Sequence, residues 1–139
     1  MNGTPLFMDT AYVLALLNPN DAHHQQARAF LPRIHDAREL WTTEAILVEI
    51  GNALARSDRS AAVAFINSCY VTPNVNVVTV DRALMDSAVD LYRSREDKEW
   101  GLTDCISFIV MRGHGLTEAL TADKHFQQAG FRVLLQEEI

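Results

Sequence analysis

Leu6-Phe7-Met8-Asp9-Thr10, running straight into Ala11-Tyr12-Val13-Leu14-Ala15-Leu16-Leu17, is the stretch that decides the fold. Three consecutive apolar residues form a short run suited to a fully buried strand, and the run stops at an acid. Ala11 to Leu17 then reads as helix, closed by the turn-forming Asn18-Pro19-Asn20. A buried strand that feeds a helix through a single acidic residue is the opening of a βαβ unit.

The alternation continues outward from there. Asp21 is placed to cap a second helix reaching about Asp36, disturbed near Pro32. Leu40 to Thr42 is a weak strand, followed by a helix from Glu44 to Arg56 with Ile46, Leu47, Ile50, Ala53 and Leu54 on its apolar face. A helix from Arg59 to Tyr70 ends at Thr72-Pro73-Asn74, and the β-branched Val75 to Val80 reads as strand. Asp81 opens a helix to about Arg95, and the charged Glu96 to Gly101 is a loop. Thr103 to Arg112 is helical and apolar on nearly every side, so burial is expected, and Gly113-His114-Gly115 ends it. Strand Ala119 to Thr121, helix Lys124 to Ala129 and strand Phe131 to Leu135 complete the chain. Strands alternating with helices predict an α/β fold with a mostly parallel sheet.

The 139 residues suit one domain spanning 1–139, with no repeat, linker or low-complexity stretch. The sequence has neither an apolar run long enough to cross a bilayer nor a signal-peptide pattern, which predicts a cytoplasmic protein. Cys69 and Cys105 lie among apolar residues without CxxC spacing and read as reduced core residues. A net charge of −6 argues against nucleic-acid binding driven by overall basicity. It leaves room for a nucleic-acid substrate if bound cations neutralise a carboxylate cluster locally. All basic residues but Lys98 and Lys124 are arginines, which suit bidentate phosphate contacts, although solvated surface arginine is the ordinary role of any one.

Four acids are candidates for such a cluster. Asp9 and Asp123 each follow a strand and precede a helix, where capping is an adequate role. Asp104 lies in the first turn of a helix that Thr103 can cap, and an acid there gains about 0.3–1 kcal/mol from the helix dipole. Glu49 sits mid-helix, bordering the apolar stripe on one face with Asn52 and Arg56. A solvated helix edge would suit it, whereas partial burial would require a cation or Arg56 as partner. Ligands of open parallel sheets bind beyond the carboxyl ends of the strands, where Asp9, Asp123 and the helix start at Asp104 lie, and all four acids meet there if Glu49 reaches the same crevice. Bare carboxylates gathered there repel, and Mg²⁺ or Mn²⁺ relieves the conflict. The matching chemistry is phosphodiester hydrolysis by a metal-activated water. Thr10 and Thr121 flank the acids and can orient a carboxylate, a water or a phosphate, or simply bond the backbone.

Several signals weigh less. The histidines lack the i,i+4 pairing of a helical zinc site. His125, near Asp123, can reach RNA but reads more readily as an ordinary surface or core residue. Trp41 and Trp100 suit base stacking, with packing the stronger expectation. The Arg59 to Tyr70 helix has apolar residues to spare and is a candidate dimer face or core element. No dinucleotide or nucleoside-triphosphate glycine loop is present.

Four segments resemble the PIN-domain family, and within it VapC-type toxins of type II toxin–antitoxin pairs. They are Leu6 to Thr10, Thr43 to Leu54 with Glu49-Ile50-Gly51-Asn52 at its centre, Trp100 to Phe108 around Thr103-Asp104, and Leu120 to Phe126 around Asp123. They follow the family's order over nearly the whole chain, and the match is weakest from Arg56 to Arg95. The resemblance implies a three-layer α/β/α fold and endoribonuclease activity with Mg²⁺ or Mn²⁺ held by Asp9, Glu49, Asp104 and Asp123. It also implies an RNA substrate, a homodimer and a cognate antitoxin protein. Two rivals stand beside it. One is a phosphatase of the haloacid-dehalogenase type using Asp9 as nucleophile, for which Ala11 replaces the expected second acid. The other is a module that binds RNA or protein without cleaving.

Overall fold

The computed structural model describes residues 3–135. In chain order its elements are β1 (Leu6–Met8), α1 (Thr10–Leu17), α2 (His24–Ala29), α3 (Leu31–Asp36), β2 (Leu40–Thr43), α4 (Glu44–Ala53), α5 (Arg59–Val71) and β3 (Val75–Val78). There follow α6 (Arg82–Ser94), α7 (Leu102–Gly113), β4 (Glu118–Leu120), α8 (Lys124–Gln128) and β5 (Arg132–Val133). The strands are short; the central β1 and β4 are buried at every residue, whereas the edge strands β3 and β5 are partly accessible.

All strand pairs are parallel, in the order β3-β2-β1-β4-β5. That order fixes where a ligand belongs. From β1 the chain moves outward through β2 to β3, then returns past β1 to β4 and moves the other way to β5. Right-handed crossovers, the near-universal choice, put α1 to α5 over one face and α6 to α8 over the other, giving three α/β/α layers. The direction of winding therefore reverses between β1 and β4, opening a crevice at their carboxyl ends. Asp9 follows β1 and Thr121 follows β4, so both flank that crevice.

The core is continuous from sheet to helices. Phe7, Ile46, Ile50, Phe108, Met111, Leu120 and Phe126 are essentially inaccessible to solvent, and burying each such side chain stabilises by about 1.5–3 kcal/mol. Phe108 stacks edge-on against both Trp100 and Phe126, which ties α7 to α8 and to the loop before α7. Cys69 and Cys105 are buried and free, in keeping with their reading as core residues.

Some local expectations are corrected. Asp21 does not cap the second helix; its carboxylate accepts from His23 N (2.8 Å) in a turn, and the helix starts later. The break falls at Phe30 rather than at Pro32, because proline is accommodated in the first turn of the new helix α3. α7 starts at Leu102 with Gly101 as its cap residue, so Thr103 lies inside the helix. On α4, Ile46, Leu47 and Ile50 are buried whereas Ala53 is exposed, since the helix ends there.

Candidate metal centre

Asp9 is the first residue beyond β1, and its backbone N–H still reaches Leu120 O of β4 (3.3 Å). This last rung holds its side chain beside Thr121. Asp9 occupies the N-cap position of α1 but makes no side-chain cap bond. Its Oδ2 instead accepts from Thr121 Oγ1 (2.8 Å), and the residue is only 6% exposed. Burial pushes the carboxyl up to about 7, against the Thr121 and Thr10 hydrogen bonds, and the charges of Asp104 and Asp123 push the same way. Those charges show that all three carboxylates lie within electrostatic reach of one another.

Thr121 is the hub of the crevice. Besides donating to Asp9, its Oγ1 accepts from Asp123 N (3.0 Å), so one hydroxyl fixes the start of the β4–α8 turn. Asp123 then caps α8 by accepting from His125 N through Oδ1 (2.8 Å). Asp104 closes the start of α7, where Gly101 N donates to its Oδ2 (3.1 Å). The same Oδ2 faces His125 Nδ1 at 3.0 Å. Burial raises the Asp104 carboxyl, opposed by the Gly101 and His125 hydrogen bonds.

Glu49 reaches the centre from α4 by another route. Its Oε1 accepts from Thr10 Oγ1 (2.6 Å), which places it beside the residue that follows Asp9. Its partner is therefore this hydroxyl and not Arg56, which is exposed. Glu49 and Thr103, the neighbour of Asp104, line one hollow between α4, α6 and α7. The structure thus brings Asp104 and Asp123 together with His125, links Asp9 to Asp123 through Thr121, and links Glu49 to the residue after Asp9 through Thr10. Thr10 and Thr121 each hold one acid.

His125 joins the acids, although its sequence context marks it as an ordinary surface or core residue. Its Nδ1 lies 3.5 Å from Asp123 Oδ1 as well as 3.0 Å from Asp104 Oδ2. Among the described residues, Asp104, Asp123 and His125 form the group whose ligand atoms all lie within 4.8 Å of one another. The signal was present as two residues' separation from Asp123, yet contact with Asp104 depends on how α7 meets α8. Both tryptophans have packing or hydrogen-bonding roles. Trp100 is buried with Nε1 donating to Gln128 (3.0 Å), and Trp41 stacks on His114 at 4.2 Å.

The donor set suits a divalent cation. It is rich in carboxylate oxygen, and among the described residues no cationic side chain offsets the buried Asp9.

This fold, with acids at the switch point of its sheet, is that of the PIN domain family; the family's pattern matches residues 6–132, and the chain belongs to it. The chain is 30% identical over 131 residues to the 23S rRNA-specific endonuclease VapC20 of Mycobacterium tuberculosis, covering 91% of this chain and 95% of that one. The crystal structure of VapC20, a Sarcin-Ricin loop cleaving toxin, superposes with a TM-score of 0.81 at 29% identity, over 91% of this chain and 95% of that one. At 8% identity, VapBC2 from Rickettsia felis bound to a promoter DNA fragment shares the fold, with a TM-score of 0.67 over 94% of this chain and 96% of that one.

Proposed function

We propose that this chain is a metal-dependent endoribonuclease, the toxin of a toxin–antitoxin pair, hydrolysing RNA phosphodiester bonds with Mg²⁺ or Mn²⁺. The observation that carries the reading is geometric: Thr121 ties Asp9 to Asp123 at the crevice between β1 and β4, and Asp123 lies against Asp104 from α7. Asp9, Glu49, Asp104 and Asp123 would hold the ion, and Thr10 and Thr121 orient Glu49 and Asp9. When bound, the ion supplies a water acidic enough to attack phosphorus and offsets charge on the transferring phosphate. The protein's part is to keep the carboxylates fixed before substrate arrives, so that little reorganisation is needed during reaction.

A charged hollow adjoins the centre. A hollow beside His125 is lined by Lys98 and Lys124, the chain's two lysines, along with Asp97, Glu99 and Gln128. Lysine suits phosphate as a point charge. The similarity to VapC20 makes 23S rRNA the first substrate to try. The same reading includes a cognate antitoxin, a cytoplasmic location and a single domain over 1–139. It also includes a homodimer, for which α5 offers the exposed Val63, Tyr70 and Val71. Among the described residues no helix is long and apolar enough to cross a membrane. The aspartyl-phosphatase rival is disfavoured by Ala11, which stands where that chemistry expects its second acid.

The test is cleavage of ribosomal RNA by the purified protein freed of any partner, with Mg²⁺ or Mn²⁺. Asp104→Asn should slow cleavage by roughly 100-fold or more, as when a group stabilising transition-state charge is lost. An uncleaved RNA pool with either metal, or full activity in Asp104→Asn, would overturn the proposal.

A further inference from the structure

We propose that His125 is a nitrogen ligand of the divalent ion and biases the centre toward Mn²⁺ over Mg²⁺; this rests on the metal-dependent reading above. The imidazole is set in place by the cap of its own helix. His125 N is held by Asp123 Oδ1 at 2.8 Å and the adjacent Phe126 is fully buried, which anchors the backbone from which the ring reaches α7. There Nδ1 meets Asp104 Oδ2 at 3.0 Å and Asp123 Oδ1 at 3.5 Å.

Three electron-rich atoms that face one another need positive charge between them, and a proton or a cation can provide it. Ligands about 2.1 Å from an octahedral ion stand roughly 3 Å apart along an edge. The 3.0 Å spacing from Nδ1 to Asp104 Oδ2 matches that edge, the 3.5 Å spacing to Asp123 Oδ1 is somewhat wider, and the ligand atoms of all three side chains lie within 4.8 Å of one another. Asp104 Oδ2 also accepts from Gly101 N, which fixes the oxygen that faces Nδ1. A neutral imidazole bound through Nδ1 carries its proton on Nε2. Mg²⁺ keeps oxygen ligands and gives up water reluctantly, whereas imidazole nitrogen suits the first-row transition ions better. A nitrogen donor among carboxylates therefore separates the two metals.

The alternative is that Nδ1–H only pins Asp104. Electron spin-echo spectroscopy of the full chain with one equivalent of Mn²⁺ tells these apart. The proposal expects imidazole nitrogen modulation, altered by ¹⁵N-histidine labelling and abolished in His125→Gln. Mn²⁺ affinity should fall at least about 10-fold in His125→Gln, with Mg²⁺ affinity, measured by competition against bound Mn²⁺, changing much less. Bound Mn²⁺ without histidine nitrogen coupling would overturn the assignment and leave the nuclease reading standing. Equal weakening of Mn²⁺ and Mg²⁺ would also overturn it, marking His125 as a pin on Asp104. If the parent binds no Mn²⁺ at all, both the ligand assignment and the metal-dependent reading fall. Should His125→Gln fail to fold, the labelled parent spectrum decides alone.

Discussion

Asp9 and Glu49 are held by threonines in mirror fashion, but their surroundings differ. Glu49 is half-buried with Thr10 as partner, whereas Asp9 is enclosed and lies within reach of two further carboxylates. Its ionisation is therefore where the centre's electrostatic cost concentrates. The folded-state carboxyl stands at about 7 and the unfolded one near its ordinary value of 3.8. Between those values the folded chain keeps a proton that the unfolded chain has lost, so stability falls as pH rises through the window. The metal-free protein should lose up to about 4 kcal/mol from this group between pH 4 and 7. Urea unfolding against pH measures it, and the difference between parent and Asp9→Asn should isolate it; parallel curves would refute the assignment. Metal and proton compete for Asp9, so the same window should show Mn²⁺ affinity rising with pH. In sequence alone, Asp9 had capping as an adequate role and Glu49 did not. The structure shows Asp9 making no cap bond, while Asp104 and Asp123 do serve helix starts as well as the centre. Residue type and position beside a strand were legible, but which oxygen each backbone N–H would use was not.

At the scale of elements, the helix starts carry much of the positional information, and most of them are written in residue type. Asp58, Asp81 and Thr43 each accept from a backbone N–H of the helix they begin. Thr43 matters most for the centre, because it joins β2 to α4 and thereby sets where Glu49 emerges. It is fully buried, and Ile46 N donates to its Oγ1 at 3.2 Å. Thr43→Val keeps the shape but orphans that N–H, and the expected loss is about 1 kcal/mol, from the missing cap. Chemical denaturation checks it, and an unchanged midpoint would show that water or a shifted backbone takes over. RNA cleavage should fall further than stability explains if Glu49 depends on this register. Buried strands and amphipathic helices were legible because period and composition report burial directly. The break at Phe30 was not, because a helical pattern runs through it and only the needs of Pro32 in α3 decide where one helix stops. Strand order was equally hidden, since β1 pairs with β4 across more than a hundred residues and no local pattern encodes that choice.

For the whole molecule, that long-range pairing means the candidate ligands come from both ends of the chain. Asp9 and Asp123 lie on neighbouring strand ends of the sheet, while Glu49 and Asp104 come from helices between them in sequence. An ion bound among them would hold β1, α4, α7 and the β4–α8 turn at once, and the unfolded chain offers no such gathering of carboxylates. Binding only to the folded state adds about 2.7 kcal/mol at a metal concentration 100-fold above its dissociation constant. The gain should be cooperative: a single unfolding transition moved several degrees upward by Mn²⁺, with slower amide exchange at both β1 and β4. Asp9→Asn should abolish most of that shift. It should also be more stable than the parent without metal near pH 7, because the buried carboxyl's cost is removed while its shape is kept. This inverted pair of effects separates a metal site from a structural acid. If Asp9→Asn destabilised the metal-free protein and retained the Mn²⁺ shift, the crevice between β1 and β4 would have to be a structural hydrogen-bond network, and the centre would lie elsewhere.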